Sequence, residues 1–185
     1  LGVGGLVENE LRARQQQVRI REAHLEEDAG KLLHDESGRD VTVVDLNRAG
    51  IPLVEIVSGP DMRSLSELED YMETLRRTLA YLGVSECKMQ EGDLRFEASI
   101  SLRPRGATEL GPRVEVKNLN STRHVLLALG YEARRQAEAL ERGEQIERET
   151  RLFDETTGET ARMRSKEEAH DYRYFPEPDL PPLVL

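Results

Sequence analysis

The chain has 185 residues, 37% hydrophobic and 34% charged, with a formal net charge of −10. It is long enough for one domain with a core, and its acid excess makes it a poor stand-alone nucleic-acid binder, because phosphates are neutralised by Lys and Arg, with Arg103 to Arg105 and Arg162 to Lys166 left as candidate basic patches. No apolar run approaches the ~20 residues that span a bilayer, no stretch reads as a signal peptide, and the single cysteine, Cys87, excludes an internal disulfide and a cysteine zinc site.

Leu1 to Leu6 is glycine-rich and is expected to be an entering loop; it does not match a phosphate-binding glycine motif. Val18 to Glu27 alternates as a strand does. Val18, Ile20, Glu22, His24 and Glu26 face one way, and Arg21, Ala23, Leu25 and Glu27 the other. Glu26 and Glu27 therefore cannot both enter one site while the strand stays regular. Asp28-Ala29-Gly30 should end it. The run His24-Leu25-Glu26-Glu27-Asp28-Ala29-Gly30-Lys31 sets three adjacent acids between a histidine and a lysine. Three neighbouring carboxylates repel one another and are tolerated in solvent or around a cation; spacing leaves both readings open.

Val41 to Leu46 predicts a second strand, Asn47 to Gly50 a turn, and Ile51 to Val57 a third strand. The near-continuous apolar character of the third predicts burial on both faces. Glu55 would then have to be paired, protonated or metal-bound, because isolated burial of a charge is too costly. An ion pair with an arginine answers that demand as well as a metal does.

Ser64 and Glu67 form a capping box for a helix whose buried stripe is Leu65, Leu68, Met72, Leu75, Leu79 and Leu82, ended by Gly83. Leu94 to Arg103 is the clearest strand, with Leu94, Phe96, Ala98, Ile100 and Leu102 inward and Arg95, Glu97, Ser99, Ser101 and Arg103 outward. Arg113 to Lys117 matches it, with Val114 and Val116 inward. If the two pair, they carry a sheet face of interleaved charges. That face is either solvated and laced with cross-strand salt bridges or a floor for nucleotide phosphates and their metal. Asn120-Ser121 caps a second helix from Thr122 to about Arg142, with core face Val125, Leu126, Leu129, Ala133, Ala137 and Leu140, stopped by Gly143. Arg148 to Phe153 and Glu159 to Arg164 predict a hairpin. Ser165 to Pro182, dense in aromatic and ionisable residues, reads as a binding loop or as aromatic anchors for an extended segment. The elements predict one α+β domain over residues 1–185, a largely antiparallel sheet with packed helices.

Four stretches carry a resemblance: His24 to Lys31; Val44-Asp45-Leu46-Asn47-Arg48-Ala49-Gly50-Ile51-Pro52-Leu53-Val54-Glu55-Ile56-Val57; Glu115-Val116-Lys117-Asn118-Leu119-Asn120-Ser121; and Met163 to Pro182. Over nearly its whole length the chain resembles the B subunits of the aspartyl/glutamyl-tRNA amidotransferases. The resemblance implies a glutamine-synthetase-like cradle that uses Mg2+ and ATP to phosphorylate the side-chain carboxylate of Glu-tRNA(Gln) or Asp-tRNA(Asn). Ammonia released from glutamine by the A subunit, an amidase, then attacks, within a heterotrimer completed by a small C subunit. A bacterial cytoplasm or an organelle matrix is the implied compartment, with no membrane. It further implies that Glu27 and Glu55 are metal-binding carboxylates, that Glu97 and Glu115 are further acids of the catalytic pocket and candidate metal ligands, and that Lys31, Arg95, Lys117, Arg164, Lys166 and Arg173 contact phosphate or the tRNA end. Glu27 is chosen over Glu26 by its family position. Many members have Cys-Asp-Ala-Asn where this chain has Phe96-Glu97-Ala98-Ser99, so the reach of Glu97 is one methylene longer. Against the family pattern, an N-terminal segment, a helical domain and a C-terminal tail are missing, which predicts that the chain alone is inactive. A non-catalytic scaffold that docks tRNA and the amidase is the competing expectation, and a generic metal-dependent phosphohydrolase a third.

Overall fold

Where the glycines of the first residues predict a loop, the chain forms a strand. The computed structural model describes residues 2–11, 14–34 and 42–163. In it, β1 (Gly2–Leu11) pairs antiparallel with β2 (Arg14–Glu27), in a register running from Gly2 opposite Ala23 to Leu11 opposite Arg14. Pairing along the whole of β1 overrides glycine's weak preference for strands, because strand formation depends on the neighbouring strand more than on intrinsic propensity.

The other side of β2 takes β5 (Pro52–Ser58), also antiparallel, giving the order β1-β2-β5. β5 is therefore an edge strand, and this corrects the expectation of burial on both faces. Val54 is 41% exposed, and Leu25, its partner on β2, is 71% exposed. The Glu55 side chain is 53% exposed. Between these strands lies a small ladder of β3 (Lys31–His34) and β4 (Thr42–Asp45); the sequence pattern predicts β4 but not β3.

Helix α1 (Leu65–Tyr81) begins as its capping box dictates. The Ser64 hydroxyl accepts from the Glu67 N–H at 3.2 Å, and the Glu67 carboxylate accepts from the Ser64 N–H at 3.2 Å. Gly83, at φ +69°, ends the segment in a conformation that favours glycine. Tyr71 and Met72 are buried and Leu68 and Leu75 pack against the core, whereas Leu65 and Leu82 are exposed, so the apolar stripe is shorter at both ends than predicted.

The third sheet runs β6-β7-β8-β9: β6 (Ala98–Ile100), β7 (Val114–Lys117), β8 (Glu149–Asp154) and β9 (Glu159–Arg162). The strand predicted from Leu94 to Arg103 contracts to three laddered residues, opposite Val114, Glu115 and Val116, because β7 is only four residues long. Its alternation survives: Ala98 is buried, Phe96 and Ile100 lie against the core, and Glu97 and Ser99 are exposed. β7 and β8 are parallel, so a crossover must join them, and α2 (Thr122–Glu141) supplies it. β8 and β9 form the predicted hairpin.

The buried face of α2 is Val125, Ala128, Leu129, Glu132, Gln136 and Ala139. Leu140, expected in the core, is 44% exposed. The buried face instead includes Glu132, which is fully buried yet satisfied. It is ion-paired with Arg135 at 2.8 Å and Arg151 at 2.9 Å, and accepts hydrogen bonds from Gln136 at 3.0 Å and from the Thr160 hydroxyl. A paired carboxylate can occupy a core position that a search for apolar residues leaves to its neighbours. Val18, Met72, Val116, Val125, Leu129 and Phe153 join the strands and both helices in one core, each contributing on the order of 1.5–3 kcal/mol of burial. The architecture is α+β, and among the described residues β7–β8 is the one parallel pair. No helix among them is long and apolar enough to cross a membrane.

Candidate functional site

The β2–β5 ladder decides which acids meet. His24 is directly opposite Glu55, and Glu26 is opposite Leu53. The two-residue period of a strand puts His24 and Glu26 on one face, and the antiparallel register lays Glu55 beside them. The imidazole Nε2 is 2.9 Å from Glu26 Oε1 and 3.1 Å from Glu55 Oε2. One ligand atom from each of the three side chains lies within 4.8 Å of the others, the one such group of three or more among the described residues.

The electrostatics are those of a crowded anionic site. Burial, then the hydrogen bond and the negative charge of Glu26, push the Glu55 carboxyl above its usual range, against the opposing pull of His24. The hydrogen bond to Glu26, helped by both carboxylates and opposed by burial, raises the imidazole. Two carboxylates and a histidine thus compete for protons, and a divalent cation would satisfy the same oxygens by charge. The donor set fits: carboxylate oxygens suit Mg2+ or Mn2+, and an imidazole is compatible with the latter.

Glu27 lies on the other face of β2, opposite Pro52. Its Oε1 is 3.4 Å from the position a Cβ on Gly50 would occupy, and Gly50 has φ +82°. Glu26, not Glu27, is therefore the acid this run brings to Glu55. Parity sets His24 and Glu26 on one face, but only the pairing with β5 brings Glu55 to that face.

Glu97 and Glu115 form a second group around Lys117. The ammonium is 3.2 Å from Glu97 and 3.3 Å from Glu115. Burial lowers the Lys117 pKa, but the two carboxylates outweigh it, and the net shift is upward. Glu115 is also 3.9 Å from Arg113. Arg95 turns to Asp28, its Nη2 3.6 Å from Oδ2. Lys31 opens β3 opposite Asp45. Arg164, Lys166, Arg173 and the whole segment from Ser165 to Pro182 lie outside the described residues.

Sequence reasoning also passed over Arg48. Its Nε donates to Asp28 Oδ2 at 2.8 Å, its Nη1 to the Glu91 carbonyl at 3.2 Å and its Nη2 to the Gly92 carbonyl at 3.0 Å. The guanidinium holds the Asp28 carboxyl below its usual range.

A family model described as GatB/GatE catalytic domain matches residues 1–185. Among curated proteins, the B subunit of the aspartyl/glutamyl-tRNA(Asn/Gln) amidotransferase of Anaeromyxobacter dehalogenans (strain 2CP-1 / ATCC BAA-258) is 56% identical over 182 residues, 98% of this chain and 38% of that protein. Its counterpart in Caldicellulosiruptor saccharolyticus is 52% identical over 181 residues, again 98% and 38%. That of Thermodesulfovibrio yellowstonii is 54% identical over 181 residues, with the same coverage. The chain thus spans 38% of the length of these relatives.

Proposed function

Because the chain belongs to the GatB/GatE catalytic domain family, we propose that it is the metal- and nucleotide-handling part of a tRNA-dependent amidotransferase. In this reading the side-chain carboxylate of Glu-tRNA(Gln) or Asp-tRNA(Asn) takes the terminal phosphoryl group of ATP, and ADP leaves. Ammonia then attacks the acyl carbon, inorganic phosphate departs, and the amide is formed. The activation is needed because an unmodified carboxylate would have to expel oxide. Ammonia comes from glutamine at the amidase, the A subunit of the assembly, and a small C subunit is the third member. The surrounding architecture is a glutamine-synthetase-like cradle in a bacterial cytoplasm or organelle matrix.

The observation that carries this reading is the convergence of His24, Glu26 and Glu55. Glu26 and Glu55 would hold the cation through carboxylate oxygen, with His24 beside them. Bound there, Mg2+ would neutralise phosphate oxygens and orient them. His24, hydrogen-bonded to both acids, holds their oxygens together. Lys117, ion-paired with Glu97 and Glu115, is a further proposed contact to phosphate, which would have to displace one of those carboxylates. Lys31, Arg164, Lys166 and Arg173 are proposed contacts to phosphate or the tRNA end. Such a division of labour suits phosphoryl transfer, which relies on positioning and charge neutralisation more than on a protein nucleophile.

The test uses the full-length protein assembled with its partners. ADP release is measured with and without misacylated Glu-tRNA, for wild type and for Glu55→Gln. Release that requires the tRNA and collapses in the variant is expected. Release indifferent to the tRNA points to a phosphohydrolase, and a variant equal to wild type makes Glu55 structural and moves the metal to Glu27, Glu97 and Glu115.

A further inference from the structure

The outer end of the β2–β5 ladder bears Glu26 and Glu55, yet Leu25 and Val54 there are exposed, so core packing does not hold it. A polar joint does. Asp28 extends the ladder past its last rung, its N–H donating to the Ile51 carbonyl at 2.8 Å and its carbonyl accepting from the Gly50 N–H at 2.9 Å. Its carboxylate, whose side chain is only 13% exposed, receives Arg48. The other two arms of Arg48 reach the carbonyls of Glu91 and Gly92, which close a short 3-10 turn, Met89–Glu91. Carbonyls at a helix end lack intrahelical donors and carry partial negative charge, so a guanidinium satisfies them in hydrogen bonding and in charge. Gly92 is shaped to this contact. Its φ is +79°, and a Cβ there would lie 2.7 Å from Arg48 Nη1. From Gly92 the chain runs directly to Arg95, which also reaches Asp28, and to Glu97.

One planar side chain therefore ties together the three segments that lead into the two charged groups. Asp28 follows Glu26 by two residues, Ile51 precedes Glu55 by four, and Gly92 precedes Glu97 by five. We infer that Arg48 is a positioning residue: its fork between Asp28 and the Glu91 and Gly92 carbonyls sets the His24–Glu26–Glu55 group in place relative to the Lys117–Glu97–Glu115 group. This rests on the functional reading above, in which both groups act on one transfer. It needs arginine in particular. A lysine keeps the charge but cannot serve three divergent acceptors with a rigid fork, and a misplacement near 1 Å can cost about 100-fold in rate.

The experiment compares wild type, Arg48→Lys, Asp28→Asn, the double variant of these two, and Glu55→Gln in the full-length protein. Mn2+ binding is followed by electron paramagnetic resonance, and tRNA-dependent ADP release is measured in the assembled enzyme. For Arg48→Lys, Mn2+ affinity should stay within about twofold of wild type, because the ligand group is intact, and KM for ATP within about threefold. The kcat should fall roughly 10- to 100-fold, because the two groups are misaligned. Asp28→Asn should shift kcat in the same direction, and the double variant should lose little more than Arg48→Lys alone, since both act through one joint. A kcat for Arg48→Lys within about threefold of wild type overturns the inference. So does parallel loss of Mn2+ binding and melting temperature in both joint variants, which marks a purely structural contact. Glu55→Gln separates the two levels. If it leaves ADP release intact, the assignment of the cation to Glu26 and Glu55 is wrong; if it abolishes release while Arg48→Lys is unaffected, only the positioning inference falls.

Discussion

His24 on β2 and Glu55 on β5 face each other across an antiparallel ladder, and the imidazole Nε2 stands 3.1 Å from a Glu55 oxygen. Residues directly opposite in such a ladder are held at a fixed short separation by the backbone. The contact is therefore set by strand register and not by a chance meeting of long side chains, and Glu26 joins it because it is two residues from His24.

The first prediction concerns this imidazole. The hydrogen bond to Glu26, opposed by burial and aided by the charges of Glu55 and Glu26, raises the His24 pKa above 6.5. The sign follows from linkage. A raised folded-state pKa means that the imidazolium–carboxylate contact stabilises fully below about 6.5, and that this stabilisation is lost as pH rises through the folded value. In metal-free buffer, an NMR titration of the His24 ring should show a midpoint above the ordinary value, and Glu26→Gln should bring it down. Added Mg2+ should lower the midpoint in wild type, because ligands must shed protons to bind a cation. A wild-type midpoint at the ordinary value would contradict the geometry.

Glu26 and Glu27 should part company in metal binding. Glu26→Gln removes an oxygen charge from the group around His24, whereas Glu27 lies on the opposite face beside Gly50. Mn2+ affinity of the full-length protein should fall by about tenfold or more for Glu26→Gln, the loss of one charged ligand, and stay within about twofold for Glu27→Gln. The reverse order would place the cation on the other face of β2.

Glu132 offers a prediction about stability. Burial, the largest influence, pushes its carboxyl up, but hydrogen bonds from Arg135, Thr160 and Gln136 together carry it below its ordinary value. Glu132→Gln removes one of the two carboxylates that Arg135 and Arg151 share, Glu149 remaining 3.5 Å and 2.9 Å from them, and should destabilise the fold by about 1.5–3 kcal/mol in denaturant unfolding at neutral pH. Because the folded-state pKa is depressed, the stabilisation is present above the unfolded value near 4.5 and is lost as pH falls through the folded one. The gap between wild type and variant should therefore narrow in acid. A gap under about 1 kcal/mol at neutral pH would mean that the carboxylate is not the keystone between α2 and the β8–β9 hairpin.

Much of the framework was legible without coordinates because its causes are local. Ser64 with Glu67, and Ser121 with the His124 N–H, mark the starts of α1 and α2 through contacts three residues apart. The alternation around Ala98 predicted its inward face, although the laddered part is shorter. The parallel pairing of β7 with β8 was not legible, since nothing near either strand names a partner across a whole helix. Nor was the burial of Glu132, whose partners Arg151 and Thr160 come from β8 and β9.

The candidate site divides along the same line. By itself the sequence determined that Glu26 and Glu27 must diverge, because neighbouring residues of a strand point to opposite faces, and that Val114 and Val116 point inward while Glu115 and Lys117 share the other face. Only the tertiary structure decided which of Glu26 and Glu27 meets Glu55, and that Glu55 is an exposed edge-strand acid and not a buried one. The register between β2 and β5 joins residues 31 positions apart, and the face that β5 covers depends on which strand it pairs with. No local preference carries that information; it arises when the sheet forms around Val18 and the core closes behind it.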